Sequence, residues 1–161
     1  MQSIQTVTKN LEKALKEFPE KRERTVDAVS DMALSRVRSS ISSRLNDSHG
    51  KIANWQHKRV GDKGGYGVIE AVGGKEAVAV APNLPSSGDG SPGAITNAIE
   101  HGHKTRIPHD AQAKRYKKKR RRFNEVRGRF FYKAAEPDVE RIAQQAADTL
   151  CSNLVEIIEG S

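Results

Sequence analysis

The chain has 161 residues, of which 28 are Lys or Arg and 20 are Asp or Glu, giving a formal net charge of +8. Thirteen of the basic residues and only two of the acids fall within residues 101–133, so the remainder of the chain is mildly acidic. The single cysteine excludes an intrachain disulfide and a cysteine-based zinc site, and the sequence contains neither a signal-peptide core nor an apolar run of membrane-spanning length. We therefore expect one soluble domain that is made without export and carries one strongly basic segment.

The first 45 residues predict two helices. Residues 4–18 carry an apolar face formed by Val7, Leu11, Leu15 and Phe18. Pro19 is expected to end this helix and to stand in the first turn of the next one. In that second helix, apolar residues recur at three- and four-residue spacing at Val26, Val29, Ala33, Val37, Ile41 and Leu45. Turn-forming residues at 46–50 are expected to end it.

The middle of the chain changes to short runs that are typical of β-strands. Residues 55–60, 66–72 and 76–81 are predicted strands separated by glycine-containing turns, which together predict an antiparallel β-meander of two to four strands. Residues 82–92 have the composition of a loop. Residues 94–100 are too short to distinguish a helical turn from a strand, and both alternatives stay open.

Beyond the basic segment, residues 127–133 predict a strand or a lead into the next helix. Pro137 is expected to open a C-terminal helix that Gly160 ends. The apolar stripe of this helix is predicted at Val139, Ile142, Ala146, Leu150, Leu154 and Ile157. The order of elements predicts an α+β fold in a single domain over residues 1–161, with two N-terminal helices, a short antiparallel β-meander, a basic loop or arm inserted at residues 103–126, and a C-terminal helix.

The basic segment is densest at residues 114–122, where only Tyr116 interrupts eight Lys and Arg residues. Like charges at this density repel one another unless anions lie nearby. The segment fits contact with nucleic-acid phosphates, with Tyr116 or Phe123 stacking on bases, but it also fits docking onto an acidic protein surface, a solvated loop or a nuclear-localisation signal. The predicted DNA or partner contacts are Lys114, Arg115, Lys117, Lys118, Lys119, Arg120, Arg121, Arg122, Arg127 and Arg129.

Other patterns give little support for a metal, phosphate or catalytic site. The three histidines at His101, His103 and His109 lack a cysteine or a well-placed acid to complete a metal shell. The glycines of residues 61–67 lack the spacing of a phosphate-binding loop and predict a turn between strands. The chain has no G-x-S-x-G motif, and Cys151 is expected to be a small buried residue of the C-terminal helix. We expect no enzymatic activity, no cofactor and no metal.

Two segments that flank the basic run resemble a known family. Residues 98–102 read AIEHG and occupy the place of a family segment of the form a-x-x-h-E-x-G, which precedes a variable loop. Residues 127–131 read RGRFF and match a G-R-x-F segment, and residues 136–159 match a terminal helix rich in Glu and Ala. The chain thereby resembles the small tail-completion or head–tail joining (neck) proteins of long-tailed bacteriophages, the group that includes lambda minor tail protein Z.

The resemblance implies a structural protein of the virion that forms a homo-oligomeric ring, usually a hexamer. Such a ring caps the tail, joins it to the head connector and lets DNA pass through its lumen. The implied partners are further copies of the chain, a head-completion (stopper) protein, and a tail tube or tail terminator protein. The implied location is the head–tail interface, after assembly in the host cytoplasm without a membrane. The apolar content of 35% suits a subunit that buries surface on assembly. The residues alone leave an alternative, a small basic module that binds phosphate backbones non-specifically.

Overall fold

The computed structural model describes residues 4–47, 49–103 and 126–160, and these form the predicted α+β fold. In chain order the elements are α1 (Ile4–Arg44), α2 (Lys51–Asn54), β1 (Gln56–Gly61), β2 (Tyr66–Ala71), α3 (Gly74–Val80), α4 (Pro92–His101), β3 (Gly102–His103), β4 (Val126–Arg127) and α5 (Phe131–Glu159).

The two N-terminal helices that the sequence predicted are one continuous helix, α1, and the predicted break at Pro19 is wrong. A proline inside a helix removes one hydrogen bond and crowds the carbonyl four residues earlier, at a cost of about 3 kcal/mol. That earlier residue, Leu15, is 68% exposed, so solvent has access to this part of the helix. The Glu17–Lys21 ion pair spans the proline at 3.2 Å, and packing of α1 along α5 holds both halves in line.

Helices α1 and α5 run antiparallel. The Ser40 hydroxyl donates to the carbonyl of Phe131 at 2.8 Å near one end, and the Asn10 amide donates to the carbonyl of Ile158 at 3.2 Å at the other. The predicted stripe of α1 faces inward in its C-terminal half, where Val37 and Ile41 are buried.

The predicted stripe of α5 also faces inward, and Ile142 is its most buried member. The predicted apolar face of residues 4–18 forms as well, but much of it remains uncovered. Its exposed members are Val7, Leu11 and Leu15, at 42%, 46% and 68%.

The strands β1 and β2 form an antiparallel hairpin, which confirms two of the three predicted strands. The hairpin lies on the middle of α1. Two glycines of the hairpin permit this close approach. A Cβ at Gly67 would stand 2.2 Å from the Ser30 hydroxyl oxygen, and one at Gly64 would stand 2.4 Å from the Cα of Glu23. Lys58 reaches across to α1 and pairs with Asp27 and Asp31, and its hydrogen bonds to these carboxylates raise the pKa of its ammonium group.

The third predicted strand, at residues 76–81, is instead the helix α3. A strand needs a partner for its backbone, whereas helical spacing of four places Ala77 and Ala81 together against Trp55 in a buried cluster. The valines that suggested a strand, Val78 and Val80, are 54% and 45% exposed. β-Propensity was therefore outweighed by burial of the alanine face.

Of the two segments left open by the sequence, residues 94–100 are helical, whereas residues 127–133 run from the end of β4 into the first turn of α5. Residues 94–100 belong to α4, whose first turn is capped by the Ser91 hydroxyl accepting from the amide of Ala94 at 3.3 Å. Helix α5 begins at Phe131 and not at the predicted Pro137, which lies inside it. Gly160 ends α5 in a left-handed conformation at φ 71°, as predicted.

The larger core cluster sits where the C-terminal half of α1, α2 and the start of α5 meet. Its buried members are Val37, Ile41, Ala53, Phe131 and Ala135, of which Ile41 and Phe131 are completely inaccessible to solvent. The 41 residues of α1 extend for about 60 Å at the usual rise per residue, so its N-terminal half reaches well beyond this core.

Candidate nucleic-acid interface

Most of the predicted contact residues, Lys114, Arg115 and the six basic residues of 117–122, lie outside the described residues. The other two, Arg127 and Arg129, are described and exposed. The structure therefore defines the place where the basic segment leaves the domain and returns to it, and the surface around that place.

The two ends of the basic segment meet in a short antiparallel stem formed by β3 and β4. Gly102 pairs with Arg127, and His103 pairs with Val126. The two glycines at the base of the stem allow an unusually close approach of the chain. A Cβ at Gly102, which has φ +82°, would stand 2.3 Å from the carbonyl oxygen of Val126, and one at Gly128 would stand 2.5 Å from the carbonyl oxygen of Glu100.

Glu100, immediately before the stem, caps the N-terminus of α5. It is only 3% exposed, and its carboxylate accepts hydrogen bonds from the amides of Phe131, Tyr132 and Lys133 at 2.6, 3.2 and 3.3 Å. These are amides that have no partner within the helix, and a carboxylate also complements the positive end of the helix dipole. The cap explains why α5 begins six residues before Pro137.

Hydrogen bonds of Tyr132 and Gln56 connect the start of α5 to β1 and α2. The Tyr132 hydroxyl donates to the Gln56 side-chain oxygen, and the Gln56 amide donates to the carbonyl of Ile52 at 2.9 Å. Burial, together with the negative charges of Glu100 and Glu70, raises the pKa of the Tyr132 phenol to about 12. Tyr132 therefore remains a neutral hydrogen-bond donor throughout the physiological range.

Beside the stem lies an exposed surface, here called the root patch, which comprises Arg44, Arg129, Phe130 and Lys133. Arg44, Phe130 and Lys133 line a shallow recess of about 270 Å³ together with Ala134. The Arg44 guanidinium donates to the carbonyl of Arg129 at 3.3 Å. Among the described residues, none of the three cations of the root patch forms an ion pair.

Phe130 is the unusual member of the root patch. Its side chain is 44% exposed, and its backbone has φ 50° and ψ 44°, in the left-handed region. This conformation costs a residue with a side chain roughly 1–2 kcal/mol, which glycine avoids. Arg44, Phe130 and Lys133 were not among the contact residues predicted from the sequence, although two aromatic residues directly following Arg129 were a visible signal.

The other patterns of the sequence do not gather around the stem. His101 and His103 are exposed, and His109 lies outside the described residues. Across residues 4–47, 49–103 and 126–160, no group of three or more His, Cys, Asp or Glu side chains is arranged to hold a metal ion.

The glycine-rich segment at residues 61–67 forms a turn, as predicted. The amides of Gly64 and Gly65 donate to the carbonyl of Gly61, and Arg22 donates to the carbonyl of Lys63 at 3.1 Å. Cys151 is exposed, so the expectation that it is a buried residue of α5 is wrong. The inward stripe passes through its neighbours Leu150 and Leu154 instead.

No family model, curated protein or solved structure matches this chain. Within the part of the chain that the structure describes, no helix is both long enough and apolar enough to cross a membrane.

Proposed function

We propose that the chain is a structural subunit of a bacteriophage virion, of the tail-completion (neck) class, and that copies of it form a ring at the head–tail interface. The ring caps the tail and joins it to the head connector, and DNA passes through its lumen. Its other partners are a head-completion (stopper) protein and a tail tube or tail terminator protein.

The observation that carries this proposal is the contact between the two motif segments. The AIEHG segment and the RGRFF segment, 25 residues apart, bond directly, because the amides of Arg129 and Phe130 donate to the carbonyls of Ile99 and Glu100 at 2.9 and 3.1 Å. The motif residues have structural roles: Glu100 caps α5, and Gly102 and Gly128 allow the chain segments to touch. The motif residues thus hold together the base of the inserted segment, which is the role expected in a family whose members share a fold and differ in the loop at this position.

The uncovered part of the α1–α5 pair supports assembly into an oligomer. Ile4, the first described residue, is 87% exposed, and Leu15 is 68% exposed. Val155 on α5 is 50% exposed. Apolar side chains left in solvent along a projecting helix pair are typical of subunits that gain stability from neighbours.

A second candidate function is a free nucleic-acid-binding module. The specific observation in its favour is that the cations of the root patch, Arg44, Arg129 and Lys133, have no acidic partner among the described residues. Such a module would be a monomer or dimer whose DNA affinity falls steeply with salt.

The test combines particle mass with function. Light scattering and negative-stain microscopy of the full chain should give ring-sized particles, and a chain in which a Gly/Ser linker replaces residues 104–125 should still form rings but should fail in head–tail joining. A matched control replaces only the eight basic residues of 114–122 with Gln, which separates charge from length. A monomer at all concentrations contradicts the ring, and full infectivity of the linker variant contradicts a role for the basic segment.

A further inference from the structure

We infer that the root patch is a binding site for single-stranded nucleic acid, in which Phe130 stacks on a base while Arg44, Arg129 and Lys133 neutralise the flanking phosphates. This inference rests on the second candidate function, binding of nucleic acid, and deepens it, because it names the residues and the form of the nucleic acid. It does not depend on the ring.

The left-handed backbone of Phe130 costs conformational free energy. A left-handed backbone favours glycine, and Phe130 leaves 44% of its surface in solvent, so that part of the ring adds nothing to the stability of the domain. The residue is held in this position by the hydrogen bond from its own amide to the carbonyl of Glu100 and by the bond that its carbonyl accepts from the amide of Ala134. The fold thus presents the ring in a fixed place, next to the recess of about 270 Å³. A contact with a ligand explains a ring that stability alone does not require.

The ring of Phe130 is flanked by cationic side chains. The side chains of Arg44 and Lys133 border the recess beside the ring, and Arg129 precedes the ring in the chain. Because Glu100 already occupies the amides of Phe131, Tyr132 and Lys133, an anion would be bound by these side chains and not by the end of α5. An aromatic face flanked by cations is the arrangement by which proteins hold unpaired bases and their phosphates.

The neighbouring basic run and the exposed ring together favour nucleic acid over an acidic protein as the ligand. The stem joins the root patch to a segment in which eight of nine consecutive residues are basic. A polynucleotide offers both phosphates for the basic residues and aromatic bases for the Phe130 ring, whereas an acidic side chain of a protein offers charge without an aromatic face. The bases of a duplex are stacked on one another, so only an unpaired base offers its face to Phe130.

The test uses the full chain and a fluorescent oligothymidylate, with a random-sequence duplex as the second probe. Phe130→Gly should weaken binding of the single strand about 5- to 150-fold, the equivalent of the usual stacking contribution, and should leave the salt dependence of binding unchanged. Its affinity for the duplex should not change. Lys133→Gln should lower the salt slope for the single strand by about 0.7, because one phosphate contact is lost.

Two controls separate a specific loss of the Phe130 contact from misfolding and from the loss of any exposed aromatic ring. Phe130→Gly relieves the left-handed strain, so its melting temperature should equal or exceed that of the unaltered chain, which excludes misfolding as the cause of weaker binding. Tyr66→Ala removes an aromatic ring that is 40% exposed on the hairpin, and it should leave binding unchanged.

Two results would overturn the inference. One is equal affinity of the Phe130→Gly variant and the unaltered chain for the oligothymidylate. The other is a larger effect of this substitution on binding of a polyglutamate peptide, which would assign the root patch to an acidic protein. Light scattering on the same samples tests the ring separately: a monomer that binds the single strand through Phe130 supports the inference and contradicts the proposed ring.

Discussion

The Glu100 cap gives the most direct test of how the fold is held together. Glu100→Ala leaves the amides of Phe131, Tyr132 and Lys133 without their acceptor at a site where the replaced side chain is only 3% exposed. Loss of one short charge-assisted hydrogen bond, at about 1.5–3 kcal/mol, and of the rest of the helix cap, at about 0.5–2 kcal/mol, predicts a decrease of about 2–5 kcal/mol in the free energy of unfolding. For a chain of this size, at about 2–4 °C for each kcal/mol, that corresponds to a fall of about 4–20 °C in melting temperature.

The assay is urea unfolding followed by circular dichroism, with thermal melts as a second measurement. Glu100→Gln retains an acceptor oxygen but loses the charge, so a smaller decrease of about 1–2 kcal/mol is expected. The matched control is Glu136→Ala, an exposed glutamate on the same helix, which should change stability by less than about 0.5 kcal/mol. The extrapolated free energy of unfolding carries an error of about 10–15%. If the value for Glu100→Ala lies within about 1 kcal/mol of that of the unaltered chain, Glu100 does not stabilise the start of α5.

Two further predictions concern the hairpin and the buried phenol. Gly67→Ala should destabilise the fold by about 1–3 kcal/mol in urea unfolding, because the added methyl group meets the Ser30 hydroxyl; Ser30→Ala in the same chain should restore much of this loss, and simple additivity of the two changes would refute the clash. Because its pKa is raised to about 12, the Tyr132 phenol should ionise at a higher pH than a free phenol in an alkaline absorbance titration. Tyr132→Phe should remove this high-pH absorbance change. Since the folded-state pKa lies above the ordinary 10.0, its stabilising contribution is complete below pH 10.0 and is lost as the pH rises toward about 12. An unchanged titration in the Phe variant would contradict this assignment.

Periodicity predicted the helical framework well, because the inward-facing stripes of α5 and of the C-terminal half of α1 repeat regularly over several turns. Val37 and Ile41 are buried as their spacing required. The prolines misled the prediction, since both Pro19 and Pro137 lie inside helices. Their local cost is visible in the sequence, but the long-range packing that offsets it is not.

The candidate site was only partly predictable for a related reason. The basic segment and Arg129 are evident from composition, whereas Arg44 lies 85 residues before Arg129 and joins it only through the fold. Glu100 was visible as a motif residue, but its role as a cap depends on amides 31 to 33 residues away. The left-handed backbone of Phe130 leaves no trace in the sequence at all, because glycine is the residue that such a position normally contains.

The stem of β3 and β4 also separates the length of the inserted segment from the stability of the domain. Because Gly102 pairs with Arg127 and His103 with Val126, the two residues that flank positions 104–125 lie next to each other in space. The entropy of closing such a loop grows slowly, by roughly 0.6 kcal/mol for each doubling of its length. The position therefore suits the insertion of foreign peptides, such as epitopes or affinity tags, and it leaves evolution free to change the length and charge of the segment without redesigning the helices beneath it.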